Sequence, residues 1–452
     1  MSTDKKFLED ARPLGELLLD YAVTAGAAYG ITDARIVISA ADRTENSIEK
    51  GQVTKTVAGK TYNVGVTLFA GDRTLSFSKN TLDETALQAA MLDNMKAIHL
   101  VPENKGKRLL EPAKVFKGVE KDLDLFDKTP PSTKEMIDYA KEVEVAAMAQ
   151  PGVKATRSVS VTKSEDHLLI LATNGLDIEE SRTMYSAGAS VIAAGNNEMQ
   201  ISGEYSMARH FNDMAKASVL GAQAGQNAIS KLGAVLPATG EMPIVLDNSA
   251  AESFFSSVYS AIGGTALYRG TTFLKGKLNQ QVMSAEITIV DDPLVARGIG
   301  SRHVDTAGLE EKPITFVENG VLKSYDVSLT EARLLGIEPI GRENGPSNTR
   351  VLPGTQTPAE LMADIKEGIY IKGFNGGTVD VNSGTHSREA YGLLIKDGKV
   401  TDIAVSGFVV SGNLKDMFMK ASVANDTPDL PSTSHRMAAP TTRINGLTIA
   451  GK

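Results

Sequence analysis

Residues 392–405 read GLLIKDGKVTDIAV, and residues 314–327 read ITFVENGVLKSYDV. In each, two apolar and β-branched runs flank a two-residue pair, Asp397-Gly398 in the first and Asn319-Gly320 in the second. A type I′ turn needs positive φ at both central residues, which Asn, Asp and Gly tolerate best. Each stretch therefore predicts a tight antiparallel hairpin. Short helices interrupt the strands. Ser328 with Glu331 predicts a capping box for a helix ending at Gly336. Thr357, Pro358 and Glu360 combine a cap, a first-turn proline and a capping-box glutamate. Helix and strand are segregated more than they alternate. The fold class is α+β, with an N-terminal α/β region of antiparallel sheets and a β-rich C-terminal domain.

Upstream, Leu14, Leu17, Leu18, Tyr21 and Ala25 share one helical face, and Gly26 ends that helix. Strands are expected at 36–39 and 64–69, with Gly71-Asp72 turning the chain toward Leu75 and Phe77. Thr81 and Glu84 match a capping box, followed by a stripe of Leu87, Met91, Met95 and Ile98. Residues 101–131, rich in Pro, Lys and Glu, read as a linker or irregular excursion. A second helix starts at Ser132 with Glu135, carries Met136, Ala140, Val143 and Ala147, and stops at Gln150-Pro151-Gly152. Strands follow near 157–163, 167–173, 183–193 and 198–207, with Asn174-Gly175 as a turn. A small-residue helix near 213–232 carries Gly221 and Gly225, which would let another element approach closely. With a boundary near 235–241, the division is 1–110, 111–235 and 236–452. No internal repeat is visible.

The chain has 452 residues, 42% hydrophobic and 23% charged, and a formal net charge of -8. That length suits two or three domains with ample core. An acidic chain without a basic, aromatic-interleaved patch makes a poor polyanion binder, so no nucleic-acid partner is expected. There is no Cys, which excludes disulfides, thiolate zinc sites and a thiol nucleophile. No apolar run is long enough to span a membrane, and the N-terminus lacks a signal-peptide pattern. The expected location is cytoplasmic.

The six His are His99, His167, His210, His303, His386 and His435. No two lie close enough to share one helical face, as the ligand pair of a protease zinc site does. Residues 249–264, SAAESFFSSVYSAIGG, predict a helix capped by Ser249 and Glu252, with Phe254, Phe255, Val258, Tyr259 and Ile262 along an apolar stripe. The segment 376–389 places Asp380, Ser383, His386, Ser387 and Arg388 close in sequence. It lacks the nucleophile-elbow pattern, and neighbouring residues of an extended chain point to opposite faces. The glycine-rich runs 263–264 and 373–377 match neither the Walker nor the dinucleotide pattern. Tyr268 and Arg269 are residue types enriched at interfaces, and they could equally make a local contact.

GGTALYRGTTFL (263–274), SLTEARLLG (328–336), GFNGG (373–377), THSREAYGLLIKDGKV (385–400) and VSGNLKDMF (410–418) together resemble the TldD/PmbA metallopeptidase family, also known as the modulator of DNA gyrase family. The catalytic TldD branch carries His-Glu-x-x-x-His on a helix and a later Cys. The corresponding helix here has no His, so the chain resembles the PmbA (TldE) branch. The resemblance implies a subunit that pairs with a TldD-like catalytic subunit holding the zinc, in a complex acting on small or unfolded peptides, including peptide maturation and antitoxin turnover. It implies no catalytic, cofactor or metal residue in this chain. Tyr268, Arg269, Asn375, Gly376, Gly377, His386 and Arg388 are the candidates for contacting a partner or lining a chamber. A stand-alone peptide-binding protein, acting as a monomer or a homodimer, and an independent hydrolase with another site stay open as alternatives.

Overall fold

The computed structural model describes residues 3–195, 198–429 and 437–451. Its N-terminal part is built on one six-stranded antiparallel sheet in the order β3-β2-β1-β4-β5-β6. The strands are β1 (Asp33–Glu49), β2 (Gln52–Ala70), β3 (Arg73–Lys79), β4 (Val153–Ala172), β5 (Asp177–Gly195) and β6 (Glu198–Ala208). Helices α1 (Thr3–Thr24) and α2 (Glu84–Ala97) cover one end of a face, and α3 (Thr133–Met148) and α4 (Ala217–Ile229) cover the other end. β1–β3 precede residue 110 and β4–β6 follow it, yet the six share one ladder through the pairing of β1 with β4.

Local signals account for much of this. Leu87, Met91 and Met95 of α2 are buried. Ser132 and Glu135 form the capping box of α3. Gly221 and Gly225 press α4 against α3: a Cβ on Gly221 would sit 2.2 Å from the Val143 carbonyl oxygen. Two expectations change. The cap of α2 is Asp83, whose side chain accepts from the Ala86 N–H, while Thr81 accepts from the Asp83 N–H. The strands expected at 157–163 and 167–173 are one strand. The polar run Lys163 to Asp166 is held extended by ladders to β1 and β5 on both sides, which override its weak strand propensity. Residues 101–131 form no helix or strand.

The C-terminal part contains β7 (Gly240–Leu246), then α5 (Asn248–Phe255), α6 (Ser257–Ile262) and α7 (Gly264–Arg269). Next come β8 (Ile289–Asp291), β9 (Ile314–Glu318), β10 (Val321–Leu322), α8 (Leu329–Leu335), β11 (Thr349–Val351) and α9 (Pro358–Met362). The last elements are β12 (Glu367–Asp380), β13 (Thr385–Lys396), β14 (Lys399–Asn413), α10 (Leu414–Met419), β15 (Ala421–Val423), β16 (Met437–Ala438) and β17 (Thr442–Ala450). One sheet runs β10-β9-β8-β11-β16 and the other β14-β13-β12-β7-β17-β15, where β14 also pairs with β17 and closes a ring. Both expected hairpins are present, with φ of 46° and 78° at Asn319 and Gly320, and 45° and 76° at Asp397 and Gly398. Apolar side chains of α5 and α6 join strands of both sheets in one core. The architecture is the mixed α and β fold expected, with a β-rich C-terminal region.

Candidate functional site

The helix that the sequence places at 249–264 is two short helices, α5 and α6, and its cap is not Ser249. β7 ends at Leu246, and the Asp247 N–H is still held by the Ile371 carbonyl at 3.0 Å. Asp247 is therefore the last residue outside the helix, and its carboxylate accepts from the Ala250 N–H at 2.8 Å. Ser249 already lies inside the first turn, where its S-x-x-E pattern has no cap to make. Burial pushes the Asp247 carboxyl up to about 6 against these hydrogen bonds. Glu252, released from a capping role, is pushed up to about 8 by burial.

The inward face of α5 is aromatic. Phe254 and Phe255 are buried, with ring centroids 5.1 Å apart, and Phe254 lies 4.8 Å from Phe418 of α10. The GGTALYRG block that follows has a packing explanation. The Gly264 N–H donates to the Asp326 carbonyl at 2.8 Å. A Cβ on Gly264 would come within 2.4 Å of the Glu331 carboxylate on α8. Gly270 ends α7 at φ 70°. Tyr268 is 53% exposed and Arg269 is exposed.

Beside α7 opens a cleft of about 920 Å3, lined by Tyr259, Arg269, Asp326, Glu331 and Arg342 among others. No local sequence pattern marks the ionic cluster beneath it. Fully buried Arg342 pairs with Asp291 at 3.1 Å and Glu311 at 2.9 Å, and Arg302 also pairs with Glu311. Burial pushes Glu311 up to about 7 despite both arginines. Burial and the neighbouring Asp291 raise Asp326 to about 7. These residues come from segments far apart in sequence, so only the fold brings them together.

The segment around His386 does not assemble a triad. Ser383 donates to Asp380 at 2.6 Å within a turn. His386 points instead into the core, 2% exposed, between the rings of Phe254 and Phe374. Both its ring nitrogens are buried without a well-formed hydrogen bond, and burial lowers its pKa to about 4 against a weak contact with the Val410 backbone. Arg388, on the same side of β13, donates to Ser253 of α5 at 2.7 Å and lies over Phe374. Opposite it, β12 bulges between Phe374 and Gly377, leaving Asn375 and Gly376 exposed. Asn375 donates to Glu389 at 3.0 Å, and Gly377 takes φ 109°. The structure thus brings His386, Arg388 and the 375–377 bulge together, and places Tyr268 and Arg269 on α7 beside the cleft.

The profile of the PmbA/TldA metallopeptidase C-terminal domain matches residues 239–451, and that of the PmbA/TldA metallopeptidase central domain matches residues 126–232. Metalloprotease PmbA of Escherichia coli O157:H7 is 27% identical over 307 residues, 68% of each chain. The Metalloprotease PmbA homolog of Haemophilus influenzae is 23% identical over 422 residues, 92% of each. A PmbA homolog of Buchnera aphidicola from Acyrthosiphon pisum is 30% identical over 245 residues, and the match spans only 55% of that relative's length. Among solved structures, a protein provisionally described as a modulator of DNA gyrase from Bacteroides thetaiotaomicron superposes with a TM-score of 0.89 at 24% identity, covering 98% of this chain and 99% of the other. TldE from Thermococcus kodakarensis gives 0.81 at 19%, covering 97% and 100%. The chain belongs to the PmbA/TldD metallopeptidase family.

A metallopeptidase family implies a metal, and the donor set among the described residues does not fit one. Among the described residues, no three His, Asp or Glu side chains converge in a way that could hold an ion. His435 lies outside the described residues. On α5 and α6 the inward positions are phenylalanine and other apolar groups. No helix among the described residues is long and apolar enough to cross a membrane.

Proposed function

We propose that this chain is the non-metal-binding subunit of a two-subunit metallopeptidase of the TldD/TldE type, which acts on small or unfolded peptides. The observation that carries this reading is the inward face of α5, where Phe254 and Phe255 pack on Phe418. A helix face that holds a metal must keep polar donors facing an open position. This one is filled by aromatic packing. The remaining roles are structural and topological: to associate with a catalytic subunit, stabilise it, and restrict what reaches its site. The peptide substrate and the TldD-like partner belong to this reading, as does a cytoplasmic location, with zinc held by the partner. TldE from Thermococcus kodakarensis shares the fold, which supports this branch assignment.

The test is purification of the tagged chain from its native cell, followed by mass spectrometry. A stoichiometric companion carrying His-Glu-x-x-x-His on a helix is expected. Recovery of the chain alone, with activity that survives chelation, would overturn the reading in favour of an independent hydrolase.

A further inference from the structure

Arg388 stands in the inward row of β13, between buried His386 and buried Ala390. Its guanidinium lies 4.4 Å from the centre of the Phe374 ring, and one terminal nitrogen, Nη1, donates to Ser253 on α5 at 2.7 Å. Among the described residues it has no carboxylate partner. Burial alone pulls its pKa below the ordinary arginine value, with no acid opposing the shift. Several other arginines removed from solvent are paired with acids, although half-buried Arg35 meets only the Thr306 carbonyl. Arg342 meets Asp291 and Glu311, Arg333 meets Glu111, and Arg443 meets Asp364. A partly buried charge without a counter-ion is costly, so the fold keeps Arg388 at the expense of stability.

The geometry around it is built. The Ser253 bond fixes one nitrogen and the Phe374 ring fixes the plane. The Nε–Nη2 edge carries no bond to the described residues, and the residue as a whole is half-buried. That edge presents two parallel N–H groups, the fork that matches a carboxylate. The bulge in β12 ends at Gly377, which pairs directly with Arg388. It requires glycine at 377, where a Cβ would come 2.7 Å from the Arg388 Cα.

We propose that Arg388, oriented by Ser253 and Phe374, is a carboxylate-binding subsite that receives an acidic group of the peptide on which the complex acts. This rests on the peptide-processing reading above. The carboxylate could be the peptide's C-terminus or an internal Asp or Glu side chain, and the chemistry of recognition is the same.

The experiment measures binding of a fluorescein-labelled unstructured peptide to the purified full-length chain by anisotropy. Three versions are compared: free C-terminal acid with one internal Glu, the C-terminal amide, and the Glu-to-Gln peptide. One neutral version is expected to bind about tenfold more weakly than the parent, as for loss of one charge-assisted pair. Which version it is identifies the source. Arg388→Gln should erase that ratio while leaving affinity for the weaker peptide unchanged, and Arg388→Lys should restore only part of it. If Arg388→Gln does not fold, the lysine variant and the wild-type ratio still decide. Equal binding of all three peptides to the wild type, or a ratio that survives Arg388→Gln, would overturn the proposal. So would a variant that changes only subunit association, because Arg388 would then meet a partner's carboxylate. Failure here with cleavage restored on adding the catalytic subunit discards the subsite and keeps the subunit reading. A clear ratio without restored cleavage does the reverse.

Discussion

The ring of Phe254 on α5 lies 4.8 Å from the ring of Phe418 on α10, tilted by 44°. This contact joins the helix that follows β7 to the one that follows β14. Both rings are almost wholly buried. The inward side of α5 is thus a structural surface whose removal should be felt as lost stability.

Phe255→Ala is expected to destabilise the chain by about 3–5 kcal/mol, the cost of deleting a fully buried ring and leaving a cavity. Urea unfolding monitored by circular dichroism measures it. A loss below about 1 kcal/mol would show that the face tolerates being emptied.

Asp247→Ala should cost about 0.5–2 kcal/mol through the lost cap, whereas Ser249→Ala should stay within about 0.5 kcal/mol. The pair separates the cap seen in the structure from the one its sequence pattern suggests. Equal losses would restore Ser249 to that role.

The contrast shows what was readable beforehand. The hairpins at Asn319-Gly320 and Asp397-Gly398 and the caps at Ser132, Ser328 and Thr357 were legible because each depends on a few adjacent residues. Ser249 and Thr81 misled because a matching S/T-x-x-E pattern says nothing about where the preceding chain leaves its extended path. At Asp247 that point is set by a sheet hydrogen bond to Ile371, a residue far away in sequence. The apolar stripe of α5 was readable from spacing. The Arg302, Arg342, Asp291 and Glu311 cluster was not, because no local pattern marks charges that meet only in three dimensions. Arg388 was visible as a candidate, but its lack of an acid partner was not.

Glu252 gives a pH signature. Its folded pKa is raised from 4.5 to about 8 by burial, so the folded chain keeps a proton that the unfolded chain releases. Stability from this group is present below about 4.5 and is lost as pH rises through about 8. Glu252→Gln should flatten the decline in melting temperature between about pH 4.5 and pH 8. An unchanged slope would remove Glu252 as its source.

His386 acts in the opposite direction. Its folded pKa falls from 6.5 to about 4, so its contribution is present above 6.5 and is lost as pH falls toward 4. Neither ring nitrogen makes a well-formed hydrogen bond, so an apolar side chain of similar size should fit at little cost. His386→Leu should leave the neutral-pH melting temperature equal or higher and reduce the acid-side loss. A large destabilisation at neutral pH would mean that the imidazole makes a polar contact essential to the fold.

The most direct test of the subunit account is reconstitution. The purified chain, its TldD-like companion, and an equimolar mixture are each incubated with an unstructured peptide, with and without a zinc chelator. The account predicts no cleavage by this chain alone and chelator-sensitive cleavage by the mixture well above that of the companion by itself. Chelator-resistant cleavage by this chain alone, or a mixture no more active than the companion, would contradict it.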